Sequence, residues 1–168
     1  MSSITIRAIQ APDLSAVLEI QSSCEGAAQW SRAAYEKLFD ALPSELAWVA
    51  ERDGRIIGFI VVRQLTDELE ILNLAVAAVA RRQGAGRALL QHVLTHASAH
   101  GVHKVFLEVR VSNLIALRFY EAHGFISTGR RTNYYTSPPE DALLLTRSLP
   151  ELSGKINRNP VLASHRKM

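Results

Sequence analysis

Arg81-Arg82-Gln83-Gly84-Ala85-Gly86-Arg87 lies between a strand-like stretch at 70–76 and a helix-like stretch at 86–99, and its reading decides the fold. Small residues let the backbone bend until successive N–H groups point into one concavity, and the following helix N-terminus adds its dipole. Arginines on either side add charge-assisted donors. The stretch therefore reads as an anion-binding strand–loop–helix. A nucleotide triphosphate loop needs Lys-Ser/Thr where Arg87-Ala88 stand, and a dinucleotide fingerprint needs a third glycine where Leu89 stands. Both fail. The plain alternative is a glycine-rich turn that only starts a helix.

Working outward, 4–9 alternates like a strand. Asp13 precedes Leu14, Val17, Leu18 and Ile20 as an expected N-cap. Ser31 is the expected cap of a second helix running to Leu42, with Trp30 and Tyr35 as its hydrophobic staple. Asp53-Gly54 is a hairpin turn signal between strands at 47–51 and 56–64. Beyond the loop helix, with Leu89, Leu90, Val93 and Leu94 on one face, come a strand at 104–109 and a helix at 113–123 ended by Gly124. Strands at 126–128 and 142–146 close the pattern. The order β-α-α-β-β-β-α-β-α-β-β predicts a mixed α/β sheet in one domain over 1–149.

The chain has 168 residues, 48% hydrophobic and 21% charged, enough to bury a core. One cysteine, Cys24, excludes an intrachain disulfide, and Cys24 has no His-Asp partner near it in sequence for covalent catalysis. Residues 1–4 lack a signal-peptide pattern, and no apolar run reaches the roughly 20 residues of a membrane span. A cytoplasmic protein without a membrane partner is expected. The net charge of +3 belongs to residues 150–168, where Lys155, Arg158, Arg166 and Lys167 face Glu151 alone. The body is neutral, so direct nucleic-acid binding is not expected. That tail has no periodicity and is expected to be disordered. His92, His96 and His100 share one helix face, but no carboxylate or cysteine completes a metal site, so a solvated face and no metal are expected.

Arg81-x-x-Gly84-x-Gly86 matches every fixed position of the Gln/Arg-x-x-Gly-x-Gly/Ala signature, and the chain here resembles the GCN5-related N-acetyltransferase (GNAT) superfamily. The likeness continues through Leu107-Glu108-Val109-Arg110, Asn113, and Phe119-Tyr120-Glu121 ending at Gly124-Phe125. Trp30-Ser31, Asn73-Leu74-Ala75-Val76, and Arg130-Arg131-x-Asn133-Tyr134-Tyr135 with Glu140-Asp141-Ala142 resemble its RimI-type members. Two departures stand out: Val76-Ala77-Ala78-Val79 lacks the usual proline, and Gln29 replaces a proline before Trp30.

The resemblance implies a GNAT fold: a single mixed, largely antiparallel central sheet, about four flanking helices, and strands splayed at the acetyl-CoA site. It implies that Arg81, Arg82, Gln83, Gly84, Ala85, Gly86 and Arg87 hold the coenzyme A diphosphate. Leu74, Ala75 and Val76 would pair with pantetheine, and Asn113 would touch the cofactor besides capping its helix. It also assigns the general base to Glu108, or else Glu108 is a strand-end charge paired with Arg110 or Arg131. Tyr120 would be the proton donor to the leaving thiolate, or else a packing residue. Trp30, Glu70, Arg131, Tyr134 and Tyr135 are candidates for the acceptor side. The implied reaction moves acetyl from acetyl-CoA to a protein N-terminus, that of a small-subunit ribosomal protein beginning with alanine. An α-amino group near pKa 7.7–8.0 needs less help from a base than a lysine near 10.4. Another N-terminus, a lysine, a small amine, or a non-catalytic acyl-CoA-binding module are the competing readings.

Overall fold

The computed structural model describes residues 2–40, 43 and 45–151. Its seven strands are β1 (Thr5–Ala8), β2 (Glu45–Arg52), β3 (Arg55–Leu65), β4 (Glu68–Val76), β5 (Lys104–Arg110), β6 (Ile126–Thr136) and β7 (Pro139–Ser148). They form one sheet in the order β1-β2-β3-β4-β5-β7-β6. β4 and β5 run parallel and the other neighbours are antiparallel. Helices α1 (Leu14–Ser22) and α2 (Arg32–Glu36) cover one face. On the other lie α3 (Ala85–Ala99) and α4 (Leu114–Ala122). The predicted order and the mixed, largely antiparallel sheet with four helices are observed.

Alternation along the strands builds two cores. Trp48, Ile60, Val62, Val105, Leu107 and Leu145 meet Leu89, Leu90 and Val93 of α3. Val49, Phe59 and Val61 meet Leu14, Val17, Ile20 and Tyr35 on the opposite face. Asp53 and Gly54 both have positive φ (51° and 73°), the backbone that a tight hairpin turn needs.

Several local expectations need correcting. Asp13 does not cap α1. Its carboxylate accepts from the Gln10 amide at 2.8 Å and is clamped by Arg7 at 2.8 and 2.9 Å. The second helix stops at Glu36 and tightens into a 3-10 turn, Lys37–Phe39, while Leu42 lies outside the described residues. β6 and β7 are longer than expected, since β6 is an exposed edge strand without apolar alternation. Of the histidine face expected to be solvated, His100 is exposed, while His92 and His96 are half-buried with both rings against Trp48, at 5.2 and 5.0 Å between centroids. The tail expected at 150–168 lies, apart from Pro150 and Glu151, outside the described residues.

What positions the site is a defect in β4. The β3–β4 ladder pairs Val61 with Asn73 and Val62 with Ile71, leaving Leu72 as the extra residue of a bulge. A bulge bends its strand and sharpens the twist. It also reverses the alternation: Leu69 and Ile71 face the α3 core, and beyond the bulge Leu74 and Val76 do, while Ala75 faces α1. β5 keeps company with β4 for only three pairs, Glu68 with Lys104, Leu69 with Val105 and Glu70 with Phe106. Past that point the strands part.

Candidate active site in the strand fork

From Ile71 to Val76, the edge of β4 that turns toward β5 has no strand partner among the described residues. An edge of this kind offers alternating N–H and C=O groups to an extended ligand. Leu74 and Val76 stand half-buried along it and Ala75 is buried. At its end the chain makes a short 3-10 turn, Ala78–Ala80, in place of the missing proline, and enters the glycine loop. Arg82 and Gly84 take left-handed backbone (φ 58° and 91°), and Gly84 directly precedes α3. Nothing lies within 4 Å of where a Gly84 Cβ would point, so the concavity is open. Arg82, Gly84 and Arg87 are exposed, and Ala85 is buried beneath them.

Two side chains of the loop are used internally. The Arg81 guanidinium donates to the Val76 carbonyl at 3.3 Å and to Cys24 Sγ at 3.2 Å. Gln83 donates to the Val79 carbonyl at 2.9 Å and accepts from Arg52 at 2.6 Å. Any anion in this loop would therefore meet backbone amides, Arg82 and Arg87 first, with the Gln83 side chain already engaged at both ends.

Glu108 lies on β5 just beyond the last paired position, and alternation with buried Val105, Leu107 and Val109 turns it to the opposite face from α3. Its carboxylate accepts from Arg131 Nε of β6 at 2.6 Å. Tyr134 stands beside it, and its phenol is pushed up to about 12, first by a hydrogen bond to Glu108 and then by desolvation. Glu70 shares this face. Desolvation raises its carboxyl, the Arg63 guanidinium at 3.6 Å opposes the rise, and the charge of Glu108 adds to it. Glu108, Arg131, Tyr134 and Glu70 are thus brought together. Tyr135 instead lies under the Arg110 guanidinium at 4.0 Å, and Arg110 pairs with Glu140. Trp30 serves as the staple, 5.4 Å from Tyr35.

Tyr120 packs in the core on the other face of the sheet, beneath α3 and α4. It sits on the last turn of α4, 6% exposed, against Phe119 and Phe125. Burial pushes its phenol well above the usual 10, so its proton is retained through the physiological range. Asn113 caps α4 by accepting from the Ala116 amide at 3.1 Å, as its position predicted.

The model for the acetyltransferase (GNAT) family matches residues 14–125, more than half of the chain. The chain belongs to the GNAT acetyltransferase family. It is 35% identical over 145 residues to the [ribosomal protein bS18]-alanine N-acetyltransferase of Escherichia coli (strain K12), covering 84% of this chain and 95% of that protein. Superposed on the crystal structure of the ribosomal-protein-S18-alanine N-acetyltransferase from Escherichia coli, it gives a TM-score of 0.78 at 30% identity, covering 92% and 98% of the two chains. A GNAT family acetyltransferase from Elizabethkingia anophelis, solved with acetyl-CoA bound, matches with a TM-score of 0.71 at 26% identity, covering 87% and 98%.

As a GNAT protein the chain is an acetyl-CoA-dependent N-acetyltransferase. The open concavity at Gly84 and the unpartnered β4 edge fit a diphosphate joined to an extended arm. Among the described residues, no cluster of three or more His, Cys, Asp or Glu could hold a metal, and no helix is long and apolar enough to cross a membrane. Sequence reasoning quoted Asn73 only within a resemblance and gave it no role; it is 5% exposed and donates to the Ala28 carbonyl at 2.9 Å. Its Oδ1 accepts from the Ala28 amide at 3.2 Å. With Tyr35 and Gln21 it ties the α1–α2 connection to β4. A polar residue inside the apolar run 71–76 was the available signal. Gly26 of that connection packs on the Asn113 side chain so closely that a Cβ would stand 2.4 Å from Nδ2. The loop thus bridges the two sides of the fork, a contact that no local pattern announces.

Proposed function

We propose that this enzyme acetylates the N-terminal alanine of small-subunit ribosomal protein bS18, in the cytoplasm, by direct attack of the α-amine in a ternary complex. The observation that carries this reading is the 35% identity, spread over 84% of the chain, to an enzyme named for that reaction.

Acetyl-CoA supplies the thioester and the acyl group. In the proposed mechanism the amides and arginines of the 81–87 loop hold its diphosphate, and the free edge of β4 pairs with the pantetheine amides. Glu108 accepts the proton of the incoming ammonium, directly or through one water. An α-amine near pKa 7.7–8.0 is partly neutral at physiological pH, so one carboxylate suffices. Arg131, 61% exposed, covers Glu108 at rest. The Glu108 side chain is only 11% exposed, so opening the pair strips a shielded carboxylate of its counter-charge, which the incoming ammonium replaces. Glu70 adds negative charge beside the incoming ammonium, and Tyr134 lines the same recess. Tyr135, stacked under Arg110, lies close enough to feel the charge of Glu108, whereas Trp30 packs on Tyr35 as a staple. From the far side of β5, Tyr120 offers its proton to the departing sulfur. Because burial makes it a weak acid, its main contribution is a hydrogen bond to charge developing in a dry site.

An acceptor screen tests the assignment. Peptides beginning with the N-terminal residues of bS18, their α-blocked forms, lysine peptides and polyamines are incubated with acetyl-CoA and read by mass. One acetyl group on the α-amine of the alanine peptide, and none on the blocked form, is expected. Turnover of a polyamine or lysine peptide with the alanine peptide untouched would overturn the acceptor assignment.

A further inference from the structure

Arg52 is the last residue of β2, beside the Asp53-Gly54 turn and one strand away from the cofactor edge. Its guanidinium reaches across to the glycine loop, where Nη1 donates to Gln83 Oε1 at 2.6 Å. Among the described residues its Nε and Nη2 are buried and have no hydrogen-bond partner. Unpartnered buried donors on a cation are unfavourable, so a purely structural role would be better served by an apolar side chain. The other end of Gln83 holds the Val79 carbonyl at 2.9 Å. Arg52, Gln83 and Val79 therefore form one chain from the hairpin turn into the loop.

The loop needs an external tie. Arg82 is a non-glycine residue with a φ of 58°, a strained conformation that persists only when its surroundings over-determine it. Packing supplies little of that on the hairpin side, where an open groove of about 400 Å³ separates Arg52, Arg55 and Ile57 from Val79 and Ala80. The Arg52–Gln83 bond spans this gap.

We infer that Arg52 is a positioning residue for acetyl-CoA. Without touching the cofactor it holds Gln83, and through it the bent backbone whose amides grip the diphosphate. The inference rests on the proposed reading of the 81–87 loop as the diphosphate site. In the free enzyme a loop released from Arg52 relaxes, and binding must then restore its strained form. The effect falls on affinity for the cofactor, while chemistry in the fork is spared.

The test compares coenzyme A affinity by calorimetry, acetyl-CoA KM and kcat, and unfolding of the free enzyme in wild type, Arg52→Met, Arg52→Lys, Gln83→Met, the Arg52→Met/Gln83→Met double variant and Gly84→Val. Arg52→Met keeps the aliphatic stem. It is expected to raise Kd and KM about tenfold, roughly 1.4 kcal/mol, with kcat at saturation within about twofold of wild type. Arg52→Lys, which keeps a cationic donor, should recover most of the loss. The double variant should bind no worse than the weaker single variant, because both cut one bond. Wild-type affinity in Arg52→Met, or losses that add in the double variant, overturns the inference. Should Gly84→Val alone weaken binding, the brace fails while the loop reading stands. Should Gly84→Val also bind like wild type, the loop reading itself fails. If Arg52→Met does not fold, the Gln83→Met and Arg52→Lys affinities decide the matter on the same criteria.

Discussion

Replacing Tyr120 with phenylalanine removes one hydroxyl and leaves the ring where it packs. The ring lies 5.1 Å from Phe119 and 5.3 Å from Phe125, and the residue is only 6% exposed. Among the described residues its hydroxyl has no hydrogen-bond partner, so the substitution breaks no bond in the resting enzyme. The hydroxyl is not one of the buried side-chain atoms left without a partner, so water reaches it and its removal relieves no desolvation penalty. Tyr120→Phe is therefore expected to leave stability nearly unchanged. Turnover should move the other way. Positioned acids contribute about 10²–10⁴-fold, and the upward shift of this phenol places it at the low end. A loss in kcat of about a hundredfold, or 2.7 kcal/mol, is the expectation. Thiol release at saturating acetyl-CoA and acceptor peptide measures kcat, calorimetry with coenzyme A measures binding, and urea unfolding measures stability. Wild-type kcat would refute the donor role. A matching fall in cofactor affinity or stability would show that the hydroxyl serves packing or binding instead.

Glu108→Gln should lower kcat about 10²–10³-fold near neutrality, and the deficit should shrink above pH 8, where the α-amine deprotonates without help; an equal deficit at every pH would argue against the base. Gly26→Ala places a methyl 2.4 Å from Asn113 Nδ2; if Asn113 swings off its cap to escape, stability should fall by about 1 kcal/mol, and an unchanged melting temperature would mean that the α1–α2 loop yields instead. Burial lowers the basicity of His92 and His96 beneath the usual 6.5. The unfolded chain then binds protons first, so this contribution is intact above pH 6.5 and shrinks as pH falls through that value; a His92→Gln/His96→Gln variant should show a flatter loss of urea stability between pH 7.5 and 5.5, and parallel curves would contradict this.

Local chemistry carried much of the fold into the sequence. The Asp53-Gly54 pair takes the positive φ values that its turn demands, Ser31 and Asn113 cap their helices, and Gly124 ends α4 at φ 81°. Where reading stopped short, a tertiary partner decided the outcome. Asp13 satisfies the helix-start pattern, yet Arg7, close in sequence but on β1, claims its carboxylate. Arg130-Arg131-Thr132-Asn133 has no apolar alternation because β6 is an edge strand, held by β7 alone and interrupted between Arg131 and Tyr135.

The site divides in the same way. The glycine loop is legible because only small residues permit its backbone, and Glu108 stands out as a charge among buried valines. The fork itself is hidden: in Ile71-Leu72-Asn73-Leu74-Ala75-Val76 nothing marks Leu72 as the bulge that turns β4 from β5. Glu108 and Arg131 are neighbours across β7, and Arg52 and Gln83 meet across a groove. Pairings of this kind come from sheet order, which single-strand patterns do not encode.

Acetyl transfer by this mechanism needs the cofactor's sulfur to lie in the fork between β4 and β5, and a crystal structure with coenzyme A locates that atom directly. The predicted result is diphosphate on the amides at 84–87, pantetheine along 74–76, and sulfur within reach of both Glu108 and Tyr120. A diphosphate bound away from the Gly84 turn, or a sulfur distant from those two side chains, would contradict it.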